Sequence, residues 1–191
     1  LSSSPSKNQK IKLKSIGVSA SSIPISRNGL NIVHDIQTFI KIFFAYKKIR
    51  PDIVLSYTIK PVIWGGIASR FTKIDFYALI TGLGFTFQGE SFKRKLLTKL
   101  VTLLYKISLK NSKAVIFQNK DNRDIFVNKG IVPFSKTCIV NGSGVDIVKF
   151  NVIKFPKNDI RFLCISRLLG DEGLREYAEA ARIVKDKFPN V

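Results

Sequence analysis

The stretch 50–87, RPDIVLSYTIKPVIWGGIASRFTKIDFYALITGLGFTF, constrains this chain more than any other part of it. Two apolar runs, 53–55 and 76–80, flank a segment of helical length that opens near Pro61, where a missing N–H does no harm in a first helical turn. Unbroken apolar runs are expected of parallel strands covered on both faces, so the stretch reads as a βαβ unit. In open parallel sheets ligands sit at the carboxyl ends of the strands. Those ends carry Ser56, Tyr57, Thr58 and Lys60 after the first run, and Thr81, Gly82, Leu83 and Gly84 after the second.

The alternation continues on both sides. A helix is predicted over 31–49 from the spacing of Ile32, Ile36, Phe39, Ile40, Phe43 and Phe44. There follow a strand at 52–56, a helix at 61–72, a strand at 75–81, a helix at 91–111, a strand at 113–118, a helix at 121–129 and a strand at 136–140. Asp121 is placed to cap its helix and Gly130 to end it in the left-handed conformation. The order argues for an α/β fold, a Rossmann-like parallel sheet wrapped by helices through right-handed crossovers. The polar opening, 1–30, reads as the frayed remnant of a strand and loop. Residues 142–159 show no periodicity and mark a boundary, giving a first domain at 1–150 and a linker with the start of a second at 151–191. In that second part 161–166 reads as a strand and 174–187 as the helix after it. Cys138 and Cys164, both in predicted strands and without a CxxC pair, read as buried free thiols.

Charge is distributed unevenly. Residues 1–150 hold 24 basic and 7 acidic side chains, against 8 and 6 in 151–191, within a net charge of +19. A surface this basic implies an anionic partner. No RNA- or DNA-binding motif is visible and the aromatic residues fall largely in apolar stripes, so no nucleic acid is expected. The segment 92–110 carries Lys93, Arg94, Lys95, Lys99, Lys106 and Lys110 and no acid, beside the apolar Phe92, Leu96, Leu97, Leu100, Leu103, Leu104 and Ile107. A basic amphipathic helix of this kind suits an anionic membrane surface, while a stripe packed on the sheet is the plainer alternative. With one histidine, no metal-ligand spacing and no run long enough to span a bilayer, metalloenzyme and integral-membrane readings find no support.

Seven segments, in order, resemble those of one family: SRNGLN at 26–31, RPDIV at 50–54, YTIKP at 57–61, TGLG at 81–84, FQN at 117–119, NGSGVD at 141–146 and SRLLGDEG at 166–173. Together they are similar to the N-terminal half of bacterial retaining glycosyltransferases of the two-domain GT-B type, with a family 4-like N-terminal domain, which build capsular, O-antigen and glycan-carrier sugars. The resemblance implies an incomplete GT-B acceptor-side domain followed by the first βα unit of a second Rossmann-like domain. It also implies a chain cut at both ends and inactive by itself.

From this resemblance follow the expected sites. Arg167, with Ser166, Gly82 and Gly84, would hold the diphosphate of a nucleotide-sugar donor, the guanidinium taking charge that builds on the leaving group. Glu172 stands where the family usually has a lysine, so a carboxylate replaces a second cation there. Tyr57, Thr58 and Lys60 would meet a polyprenyl-linked or other envelope glycan acceptor; for Lys60 the plain alternative is a solvated lysine at a helix start. Gly142, Ser143, Gly144 and Asp146 would form the interdomain hinge, and Trp64 with Gly65 and Gly66 would serve helix packing. No metal or other cofactor is implied, and no catalytic residue is assigned. The expected function is hexosyl or N-acetylhexosaminyl transfer, from a UDP-sugar, at the inner face of the cytoplasmic membrane, by a cytoplasmic, peripheral protein. The rival is a catalytically inactive remnant that binds membranes or partner enzymes.

Overall fold

The computed structural model describes residues 1–25, 31–83, 92–154, 161–166 and 173–189. The chain divides into two compact units, Leu1–Gly142 and Ser143–Val191.

In the first unit the order is α1 (Lys7–Ser15), α2 (Ile32–Ile49), β1 (Ile53–Tyr57), α3 (Ile59–Thr72), β2 (Asp75–Ile80), α4 (Phe92–Leu109), β3 (Ala114–Phe117), α5 (Lys120–Asn128) and β4 (Thr137–Ile139). The four strands form one sheet in sequence order, every neighbour parallel. Registers such as Ser56 beside Ala78 and Ala78 beside Val115 line up one set of side chains on one face.

That face carries the main core. Phe76, Ala78, Ile80, Val115 and Phe117 pack against Val62 and Ile63 of α3, Val101, Tyr105 and Leu109 of α4, and Phe126 of α5. The Phe126 ring meets Tyr105 and Phe117 edge-on at 5.0 and 5.3 Å. Burying one such aromatic side chain contributes about 1.5–3 kcal/mol. A monotonic strand order with right-handed crossovers puts α3, α4 and α5 on the same side of the sheet. The opposite face is thinly covered: Ile53, Leu55 and Tyr57 are exposed, and Tyr77, Leu79, Ala114 and Ile116 are half-buried. Coverage on both faces, expected from the apolar runs, is therefore not what the described residues have. The runs are apolar because one face is core and the other, though apolar, is open.

A second cluster seats α2. Ile42, Tyr46 and Ala68 are buried with Ile23, and Phe39, Phe43 and Trp64 lean on them. The buried side of α2 is Asp35, Thr38, Ile42 and Tyr46. Four residues of the expected apolar stripe, Ile32, Ile36, Ile40 and Phe44, face solvent instead. Polar residues won the inward positions because they bond there: the Thr38 hydroxyl donates to the carbonyls of His34 and Pro24.

Several local expectations are also corrected. The opening is not frayed: Ser6 caps α1 through a reciprocal capping box with Gln9, and Ser2 bridges Ser22 in parallel fashion. Helix α3 begins at Ile59, two residues before Pro61, which still lies in the first turn where its N–H is not required. Asn119, not Asp121, caps α5, its side chain accepting from the N–H of Asn122 at 2.8 Å. Gly130 does follow that helix with φ of 59°.

In the second unit α6 (Leu174–Lys187) spans the residues read as helix from the sequence, and Tyr177 donates its hydroxyl to the carbonyl of Phe162 at 3.0 Å. Residues 161–166 form no strand and are exposed. No residue of α6 is buried. A strand needs a paired neighbour to satisfy its backbone, and none is present for 161–166 among the described residues. Both cysteines are free and exposed rather than buried; Cys138 lies in β4 and Cys164 in no strand.

Candidate functional site

Because all four strands run parallel, their carboxyl ends share one edge of the sheet. Tyr57 ends β1 and Thr58 and Lys60 follow it, Thr81 and Gly82 follow β2, Gln118 and Asn119 follow β3, and Val140 to Gly142 follow β4. The sheet thus gathers on one rim the polar and glycine residues expected there from the sequence.

At the end of β1 the backbone turns abruptly. Thr58 takes φ of 67° and ψ of 158°, a conformation that glycine adopts readily and a β-branched residue does not. Its carbonyl accepts from the N–H of Val62 at 3.1 Å, so Thr58 caps α3 by its backbone while its side chain makes no capping bond. Strain of about 1–3 kcal/mol persists only where the surroundings hold it. Here they include an ion pair one step further on. Lys60 Nζ lies 2.8 Å from Asp35 Oδ1 of α2, with the two side chains only 17% and 9% exposed. Neither atom has a hydrogen-bond partner beyond that contact among the described residues. An ammonium has three donors, so this one is buried with capacity to spare.

Beside this pair lies a second polar contact. Tyr46 of α2 reaches the Ser56 side chain of β1, and burial pushes the Tyr46 hydroxyl up to about 12, the bond to Ser56 offsetting part of that. The contact fits only because α3 has glycine opposite it. A Cβ on Gly65 would come within 2.8 Å of Ser56 Oγ and 2.9 Å of Tyr46 Oη, and one on Gly66 within 2.7 Å of the Ser108 carbonyl. The glycine pair therefore serves close packing of α3 against α2, β1 and α4.

A groove of about 680 Å³ runs along the free edge of β1 and ends at these groups. Ile23, Ile25, Ile42, Ile49, Ile53 and Leu55 give it apolar walls, and Ser56, Tyr57, Thr58 and Lys60 close one end. An apolar trough with a cation at its end can take a molecule that has a greasy part and an anionic group.

The other expected site residues are placed as follows. Gly82 has open space around it; an added Cβ would meet nothing within 4 Å. Gly142 is equally open, and Gly144 takes φ of 67°. Asp146 Oδ1 accepts from the N–H groups of Val148 and Lys149 at 3.0 and 3.1 Å, which fixes a turn, and Ser143 is exposed. Ser166 is exposed. Arg167, Glu172 and Gly84 lie outside the described residues. Asp35 was not singled out in the sequence. The signal was there: it is the one acid in the first 50 residues, a stretch with seven lysines and two arginines.

An α/β domain with its polar rim at the carboxyl edge of a parallel sheet is a ligand-binding architecture. A family model described as glycosyl transferase 4-like matches residues 1–119, and the chain belongs to that family. It is 28% identical over 190 residues to the N,N'-diacetylbacillosaminyl-diphospho-undecaprenol alpha-1,3-N-acetylgalactosaminyltransferase of Campylobacter jejuni, a match covering 92% of this chain and 50% of that protein. To the UDP-Gal:alpha-D-GlcNAc-diphosphoundecaprenol alpha-1,3-galactosyltransferase of Escherichia coli it is 25% identical over 173 residues, 85% of this chain and 44% of the other. The chain spans about half the length of these curated relatives. The crystal structure of Acinetobacter baumannii MurG aligns with a TM-score of 0.43 at 14% identity, over 78% of this chain and 37% of that one, a likeness too loose to carry an argument.

Proposed function

We propose that this chain is the acceptor-side half of a GT-B glycosyltransferase that moves a sugar from a nucleoside diphosphate donor, a UDP-sugar, onto an acceptor carried by a polyprenyl diphosphate. The observation that carries the reading is shared by the two relatives: their names give different sugars but the same diphosphoundecaprenol carrier. The β1 rim supports it, because Lys60 offers a buried cation at the end of an apolar groove.

In this reading the acceptor's diphosphate meets Lys60, with Tyr57 and Thr58 positioning the sugar next to it. The Asp35 carboxylate holds the ammonium in place until the phosphate arrives, and a charge-assisted bond to phosphate is then worth about 1.5–3 kcal/mol. Arg167 pairs with the donor diphosphate and neutralises charge on the departing nucleotide, assisted by Ser166 and the backbone at Gly82 and Gly84. Transfer retains the anomeric configuration and uses no metal. The protein works peripherally at the inner face of the cytoplasmic membrane, where a lipid-anchored acceptor has its sugar.

Glu172 sets the sharpest test of the donor half. In a chain extended to the length of its relatives, calorimetry with UDP should show tighter binding in Glu172→Lys, where attraction replaces repulsion, and weaker binding in Arg167→Ala. Looser or unchanged binding in Glu172→Lys counts against the phosphate site, and an additional silent Arg167→Ala removes the donor assignment altogether.

A further inference from the structure

We propose that the outer face of α2 is a self-association surface, on which α2 of a second copy of this chain packs antiparallel about a two-fold axis. The inference goes beyond the proposed function and does not depend on it, since it is argued from the first unit alone.

One side of α2 belongs to the fold, where Asp35, Thr38, Ile42 and Tyr46 are buried. The other side is apolar and open. Ile32, Val33, Ile36, Ile40 and Phe44, with Phe71 of α3, are between 43% and 74% exposed. At about 100° per residue the five on α2 fall within an arc of about 120°. Lys47 is the one cation in that arc, and its Nζ lies 5.0 Å from the centroid of the Phe43 ring, so its stem runs along the apolar surface. Phe43 meets Phe44 edge-on at 5.7 Å and Phe39 meets Phe71 edge-on at 6.4 Å, which joins the strip and Phe71 into one patch. With about 150–200 Å² for a whole side chain of this size, these exposures leave about 600 Å² of apolar surface bare. A standard interface takes about 800 Å² from each partner, and an apolar patch of that order facing water marks an interaction site.

Ridge geometry and charge name the occupant. Ile32, Ile36, Ile40 and Phe44 form a single ridge of the i, i+4 kind, and two such ridges interlock at about −50° with axes about 8–10 Å apart. A two-fold axis through the middle of the ridge sets Ile36 of one copy against Ile40 of the other, and Ile40 against Ile36. The three lysines of α2, Lys41, Lys47 and Lys48, all lie in its second half, and no Lys or Arg occurs from Ile32 to Ile40. Antiparallel pairing therefore lays the lysines of each copy beside the lysine-free half of the other and sets the helix dipoles in opposition. Parallel pairing would bring the lysines of both copies together. A bilayer fits less well, because a helix lying on anionic lipid carries cations along its whole apolar strip and half of this strip has none.

Sedimentation velocity of the 191-residue chain over a concentration series tests this, and a monomer–dimer equilibrium is expected. Each copy carries a net charge of +19, so the copies repel. The dimer should therefore tighten between physiological ionic strength and 1 M salt, as the Debye length shrinks from about 8 Å to about 3 Å. Ile36→Ser/Ile40→Ser should weaken it about a hundredfold or more, with helix content by circular dichroism unchanged because both side chains are exposed. Leu96→Ser/Leu103→Ser, which takes exposed apolar surface from α4 instead, should leave it unchanged. In a Cys138→Ser/Cys164→Ser background, freed of both native thiols, mild oxidation should link chains carrying Ile36→Cys or Ile40→Cys into dimers. Each of these positions lies about 3 Å along the helix from the two-fold axis, whereas Ile32→Cys, about 9 Å from it, should not link. A monomer at every concentration overturns the proposal, as do association beyond dimers, equal loss from the α2 and α4 variants, or linkage through Ile32→Cys as ready as through Ile40→Cys. Binding to phosphatidylcholine vesicles in place of dimers, abolished by the isoleucine variant, would give the strip to lipid and overturn it as well. None of these readouts uses a donor or a transfer step, so failure here and failure of the sugar-transfer reading are told apart.

Discussion

At the residue scale the structure turns on Asp35 and Lys60. Removing one partner of a buried pair leaves the other charge unsatisfied, so Asp35→Asn should destabilise the first unit by about 3–5 kcal/mol, read as a lowered denaturation midpoint. The double variant Asp35→Asn/Lys60→Met should recover most of that; if it stays as unstable as the single variant, the pair is not the source. The Tyr46 hydroxyl adds a pH effect with a definite sign. Its folded value, about 12, lies above the unfolded 10. The unfolded chain therefore loses its proton first, and the stability present below pH 10 declines as pH rises from about 10 toward 12. Alkaline melts should show this decline flattened in Tyr46→Phe, and an unchanged slope would contradict it. The packing role of Gly65 and Gly66 was legible because adjacent glycines in a helix cost stability unless something approaches closely. The Asp35 partnership was not, because the distance between positions 35 and 60 in sequence says nothing of their contact.

At the element scale, hydrophobic spacing located the α-helices α2 to α6 and the four strands of the sheet, and it misjudged which side of α2 is buried. On α2 the inward side carries Asp35 and Thr38, which earn burial through an ion pair and hydroxyl bonds that periodicity cannot register. On α4 apolar residues cover more of the circumference than one sheet can bury, so a single stripe in the sequence became two faces in space. Strand 161–166 failed for a different reason: a strand is defined by its neighbours, and an apolar run alone does not supply them. Capping is a local competition that can be checked directly. Asn119→Ala should cost about 1 kcal/mol of thermal stability and Asp121→Ala, whose side chain does not cap, about half that or less. Equal losses would return the cap to Asp121.

At the scale of the whole molecule, the α/β class and the parallel sheet were legible because the strands end in turn residues and each of the first three is followed by a helix-length segment. The ordered segments carried the family. The site was legible only as a rim: the sequence put Tyr57, Thr58 and Lys60 at one strand end, and the structure added the groove, the strained turn at Thr58 and the buried counter-charge. What sequence could not supply were the contacts between elements, which depend on packing. For the acceptor half, Lys60→Ala in an extended, active chain should raise KM for a prenyl-diphosphate-linked sugar by about tenfold while leaving UDP binding unchanged, the tenfold corresponding to the weaker end of a charge-assisted bond. A silent substitution would detach Lys60 from the acceptor.

The central claim is sugar transfer to a lipid-linked acceptor, and one assay meets it head-on. Radiolabelled UDP-sugars are incubated with a short-chain prenyl-diphosphate-linked sugar and either the chain extended to its relatives' length or the 191-residue chain, and the lipid fraction is counted. The account predicts label in the lipid fraction from the extended chain with at least one UDP-sugar, without added metal, and none from the 191 residues alone, whose second unit holds a helix with no buried residue. Absence of lipid-linked label from the extended chain with every UDP-sugar tried, while a relative labels the same acceptor in parallel, would contradict it.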